Sequence, residues 1–166
     1  MKRLARYSFW VLSSAILLLP LNAQTDTQSK LVGKWTLNTA KWKSEGAVPR
    51  PKQATLVISQ ATSVHFKWEL KTTFSNGGRS VMGFDGAIDG KSYVYKGAER
   101  GTRLAFVENN GILEGTATSP NGGTVRQTVT LSPDGNTMTA QCSSNFPPAT
   151  ASWTEVWERS LDKKRK

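Results

Sequence analysis

The sequence predicts an all-β domain, an antiparallel up-and-down β-barrel of about 8–10 strands. Three observations carry that prediction. Short alternating runs of apolar and polar residues, divided by Gly, Asn, Asp and Pro, recur along most of the 166 residues, and helical periodicity is almost absent. From Ala54 onward the breaks between runs are hairpin-sized, so neighbours in sequence become neighbours in a sheet. A meander of this kind leaves two edge strands exposed, and pairing its first strand with its last removes both.

The chain opens with Lys2, Arg3 and Arg6, an apolar run from Phe9 to Leu19, Pro20, and the small Ala23 ahead of polar residues. That is the order of a secretory signal peptide over residues 1–23, and the run falls short of the roughly 20 apolar residues a membrane span needs. Export to the periplasm or the extracellular space is therefore expected. The barrel domain is assigned to 24–161 and a basic tail to 162–166.

Leu31 to Asn38 reads as the opening strand, with Gly33 turning the chain inward and Trp35 plugging one end of the barrel. Thr39 to Gln53 carries Pro49 and Pro51 and reads as a long strandless connection across that end. Ala54–Ser59 is the second strand. The third has the clearest alternation: Val64, Phe66, Trp68 and Leu70 face one way and His65, Lys67, Glu69 and Lys71 the other. Ser80–Phe84 and Ser92–Tyr95 follow. Asn110-Gly111 joins Thr102–Val107 to Ile112–Thr118 as a tight hairpin, since both turn residues tolerate positive φ. Ser132-Pro133-Asp134-Gly135-Asn136 turns Thr124–Leu131 into Thr137–Cys142, and Ser152–Arg159 is the last strand.

The formal net charge of +10 is drawn in large part from the two ends: three basic residues in the leader and Lys163, Lys164, Arg165 and Lys166 in the tail. Such a tail can touch an anionic envelope surface, and it also suits a solvated end. Export and the separation of Phe66 and Trp68 from Lys67 across the strand argue against a nucleic-acid partner. With Cys142 as the single cysteine, no disulfide can form within the chain, and its side chain is expected to act as a small core group. Nothing in the pattern selects an oligomeric state.

Gly33-Lys34-Trp35-Thr36-Leu37-Asn38 with Ala40-Lys41, a Pro-containing loop and a terminal Trp157-Glu158-Arg159 resembles the secreted bacterial lipocalin-like proteins. More loosely, the chain is similar to the lipocalin, fatty-acid-binding-protein and avidin barrels. The resemblance implies a calycin-type barrel that binds a small apolar molecule inside. It also implies that Trp35 packs beneath Arg159 as a cation–π pair closing the barrel with Gly33. The chain departs from lipocalins in lacking a Thr-Asp-Tyr segment in mid-chain and a long terminal helix.

Catalytic and metal chemistry finds little to build on. One His and one Cys, far apart, make no metal site, and no cofactor is expected. A haem-binding barrel such as nitrobindin, similar in plan, needs an axial His, but His65 has the wrong phase to face inward. No Gly-x-Ser-x-Gly elbow is present, and Glu69, Asp85, Glu108, Glu114, Glu155 and Glu158 read as solvated strand or turn carboxylates. No catalytic residue is assigned, and the protein is read as not an enzyme.

The inward face remains. Val64, Phe66, Trp68, Leu70, Met82, Phe84, Leu104, Phe106, Val129 and Met138 line or fill the interior, and Phe66, Trp68, Phe84, Tyr95 and Phe106 are the candidate ligand contacts. The leading functional reading is an exported non-enzymatic barrel binding a small hydrophobic or amphipathic molecule. The alternative is an interaction or inhibitor module of the cell envelope, using mouth loops at Trp42 to Lys52 and Ser143 to Ala149.

Overall fold

The structure is a computed structural model and describes residues 28–146 and 149–160. The leader and the basic tail lie outside the described residues. Eleven antiparallel strands form one sheet: β1 (Gly33–Leu37), β2 (Lys43–Glu45), β3 (Pro51–Ala61), β4 (Phe66–Phe74), β5 (Arg79–Gly86), β6 (Tyr93–Val94), β7 (Arg103–Asn109), β8 (Ile112–Thr118), β9 (Thr124–Leu131), β10 (Thr137–Phe146) and β11 (Ala149–Arg159). The hydrogen-bonded order is β5-β4-β3-β1-β11-β10-β9-β8-β7-β6, with short β2 attached to β11. Sequence order is thus kept around the ring, and the first strand lies against the last.

That join is specific. Trp35 is opposite Arg159, Thr36 opposite Glu158 and Leu37 opposite Trp157. Asn38 extends it: its carboxamide oxygen accepts from the amides of Ala40 and Lys41, while its Nδ2 donates to Glu158 Oε1 at 2.7 Å. Lys41 Nζ reaches the same oxygen at 3.2 Å, so a 3₁₀ turn at Thr39–Lys41 is tied to the final strand.

The ring is nearly closed. Its seam lies between β5 and the residues just after β6, where Gly83 and Lys96 exchange two backbone hydrogen bonds of 3.0 Å in an isolated bridge. Gly97 makes this approach feasible. Its φ is +79°, and a Cβ there would fall 1.9 Å from the carbonyl oxygen of Val81.

Strand alternation sets the core. In β4, Phe66 and Trp68 are buried while Lys67, Glu69 and Lys71 are exposed and pair on the outer face, Lys67 with Asp85 and Lys71 with Glu69. Trp35, Phe84 and Phe106 are the largest side chains fully removed from solvent. Asn110 and Gly111 both take positive φ in the β7–β8 hairpin, as the twist of a two-residue turn demands.

Two expectations are corrected here. The 39–53 connection is not strandless: β2 pairs Lys43–Glu45 with Thr154–Ser152 of β11, and β3 begins at Pro51. A proline is tolerated at the first residue of a strand, where no ladder N–H is required of it. Val64 does not line the interior. It lies in the turn before β4 at 74% exposure, so the inward series starts at Phe66.

Candidate functional site

The inward face lines a partly open cavity of about 180 Å³. Its walls are mostly apolar: Leu56 and Ile58 from β3, Phe66, Trp68 and Leu70 from β4, Met82 from β5, and Val129, Met138 and Ala140 from β9 and β10. Polar groups gather on one side, where Gln127 of β9, Cys142 of β10, Glu155 of β11 and Tyr95 after β6 also reach the wall. A larger hollow beside β2, about 560 Å³ and lined by groups such as Lys43, Glu45, Gln141 and Ser143, is an open polar groove on the surface.

Glu155 decides the character of the interior. It is flanked at i−2 and i+2 by Trp153 and Trp157, which a strand's period places on the same face. Both indoles donate to its carboxylate, Trp153 Nε1 to Oε1 and Trp157 Nε1 to Oε2, each at 2.9 Å. The side chain is half-buried, surrounded by barrel groups, and it forms part of the cavity wall. Burial pushes its pKa up from the ordinary 4.5, opposed in part by the two indole hydrogen bonds. Tyr95 is pushed up to about 12 by burial and then by the negative charge of Glu155, and the Cys142 thiol is raised by the same two causes. The expectation that Glu155 is a solvated carboxylate is therefore overturned. The signal that could have found it is the Trp-x-Glu-x-Trp spacing.

Of the five candidate contacts, Phe66, Trp68, Tyr95 and Phe106 reach the cavity wall. Phe84 does not. At 1% exposure it sits within a packed aromatic cluster, its ring centroid 4.9 Å from Phe106, 5.9 Å from Tyr93 and 6.3 Å from Phe66. Trp68 and Tyr95 meet edge to face at 5.9 Å, which holds the phenol on the cavity wall.

Gly33, Trp35 and Arg159 form a separate group at the strand join. The Arg159 guanidinium lies 4.2 Å from the Trp35 ring centroid and donates to the carbonyls of Val32 (2.8 Å), Gly135 (2.9 Å) and Lys30. The Trp35 indole donates to the Leu31 carbonyl at 2.9 Å. Gly33 has φ +145°, and a Cβ on it would stand 2.6 Å from Arg159 Nη1, so its lack of a side chain makes room for the guanidinium. His65 is outside the barrel, its Nε2 2.8 Å from Asp85 Oδ1. Among the described residues no three His, Cys, Asp or Glu side chains gather as metal ligands.

Comparison with known proteins places the fold. No protein-family model matches the sequence, and no curated protein matches it. Solved structures do. A single-residue mutant of the fluorescent protein UnaG is 10% identical with a TM-score of 0.52 over 81% of this chain and 99% of its own. Apo lipid binding protein 8 of Caenorhabditis elegans is 12% identical with a TM-score of 0.50 over 80% and 96%. A fatty acid transporter, REP1-NXSQ, is 14% identical with a TM-score of 0.51 over 80% and 98%. The architecture is that of the lipocalin and fatty-acid-binding-protein barrels. At these identities the likeness is one of fold.

Proposed function

We propose that this protein binds a small, largely hydrophobic molecule inside the barrel and acts as a carrier or sensor, not as a catalyst. The observation that carries the reading is a mostly apolar cavity inside the barrel with a few polar groups on its wall, the arrangement of a small-molecule site. The names of two structural neighbours, a lipid binding protein and a fatty acid transporter, support it. Glu155 is the only carboxylate among the lining residues, so a paired-carboxylate mechanism has no second acid there.

The cavity bounds the ligand's size. An engineered protein cavity of about 150 Å³ holds benzene, and drug-sized sites run from about 300 Å³ upward. A space of about 180 Å³ thus suits a one-ring or short-chain molecule. The leader-like residues 1–23 support export as part of this proposal, and Lys163 to Lys166 support contact with an anionic envelope surface. The interaction-module alternative is the weaker reading: Trp42 is half-buried against the core, and Phe146, though exposed, ends β10 and does not stand on a free loop.

Native mass spectrometry of protein purified gently from its own host tests the proposal, together with titration by one-ring apolar probes followed through tryptophan fluorescence. A bound small molecule, or saturable quenching, is expected. An interior that returns empty and ignores every probe would sink it.

A further inference from the structure

We propose that the ligand carries a basic nitrogen: the cavity selects a small hydrophobic amine whose protonated head docks on Glu155. The inference rests on the interior-binding reading and specifies its ligand class. No Lys, Arg or His is among the lining residues, so the negative group of the wall has no cationic partner within it. A carboxylate held partly away from water is stabilised by a counter-charge or a full set of donors. The two indoles supply two donors, and an ionised carboxylate has roughly four acceptor positions. What is left unfilled is acceptor capacity, and its complement is a donor bearing positive charge.

The remaining groups on that side point to the same chemistry. Tyr95 and Cys142 are the titratable side chains facing Glu155, from the segment after β6 and from β10, and Gln127 stands by on β9. Burial and the carboxylate hold both titratable groups in their neutral, protonated forms, so neither offsets its charge. The aromatic side chains of Trp68, Phe106 and Tyr95 also line the cavity, and aromatic rings attract cations. A fatty-acid carboxylate would find no basic residue among the lining residues to receive it. The proton is the amine's natural competitor: burial makes Glu155 hold a proton more tightly than an exposed glutamate does, so protonation and ammonium binding oppose each other.

The test is calorimetric titration of the full chain at pH 8 with three probes of one size: 2-phenylethylamine, 2-phenylethanol and phenylacetate, with ethylbenzene as the headless control. The amine is expected to bind at least about ten-fold more tightly than the alcohol, as a charge-assisted contact should, with phenylacetate weakest. Its affinity should fall as pH is lowered, because protonation of Glu155 competes with the ammonium. Glu155→Gln should abolish the preference for the amine; if that variant does not fold, the wild-type ranking decides alone. An advantage below ten-fold, or alcohol or phenylacetate binding as well as the amine, overturns the amine assignment and leaves interior binding standing. No binding by any of the four overturns both.

Discussion

Replacing Trp35 by Ala tests whether the strand join holds the barrel together. The indole is 0% exposed, so the substitution removes an entire buried ring, a change that costs about 3–5 kcal/mol in protein cores. Two directed contacts go with it: the hydrogen bond from Nε1 to the Leu31 carbonyl and the stacking of Arg159 at 4.2 Å. A buried hydrogen bond is worth about 1 kcal/mol and a cation–π pair about 0.5–2, and since they partly overlap the cavity cost, the total should fall near the upper end, about 4–5 kcal/mol. With a urea slope of about 2 kcal/mol per molar, the unfolding midpoint should drop by about 2 M. Trp35→Phe keeps an aromatic ring and loses the indole N–H, so it should cost about 1–2 kcal/mol and still permit measurement if the Ala variant is unfolded. A loss under about 1 kcal/mol for Trp35→Ala would refute the reasoning, because a ring so enclosed cannot be removed cheaply.

Other perturbations probe the seam, the interior and the tail. Gly97→Ala should destabilise by more than about 1 kcal/mol and speed hydrogen exchange at Lys96, since its Cβ collides with Val81 and its φ is positive; unchanged protection at Lys96 would contradict the seam's geometry. Glu155 holds its proton more tightly folded than unfolded, so its contribution to stability is full below 4.5 and is lost as pH rises through its raised value. Asp85, lowered from 3.8 to about 2 by hydrogen bonds from Lys67 and His65, contributes above 3.8 and is lost as pH falls through about 2. Urea midpoints should therefore decline on the alkaline side in wild type and stay flatter there in Glu155→Gln; identical profiles would rule the Glu155 contribution out. Cys142, buried with a raised thiol pKa, should resist iodoacetamide until urea unfolds the chain, and rapid native alkylation would count against its placement. Removing Lys163 to Lys166 should leave the melting temperature unchanged and weaken binding to vesicles rich in anionic lipid; equal vesicle binding would end the tail's proposed role.

Much of the fold is readable from the residues because strand alternation and turn chemistry are local. Phe66, Trp68 and Leu70 against Lys67, Glu69 and Lys71 reveal the wet and dry faces of β4, and Asn110-Gly111 marks the β7–β8 hairpin without reference to distant parts. The strand starting at Pro51 is hidden because a proline at a strand's first residue looks the same in sequence as one that forbids a strand. The site is legible only in part. Inward direction is a local property, whereas the division between Phe84, packed among four rings, and Phe106, which also borders the cavity, depends on how β4, β5 and β7 curve together. Glu155 is obscured by its residue type: carboxylates in strands usually face water, and only its two Trp neighbours at even spacing mark it as an interior group.

The ring is fastened unequally. Residues far apart in the chain are sewn together along β1 and β11, and Ser160 continues that stitching with its amide bonded to the Lys34 carbonyl at 2.8 Å. Residues close together in the chain, on either side of 87–92, are fastened by the single backbone bridge of Gly83 and Lys96. A circular permutant that links residue 160 to residue 28 and is cut within 87–92 would sever the chain where the sheet is already least continuous. The barrel should tolerate new ends there better than anywhere else on its circumference.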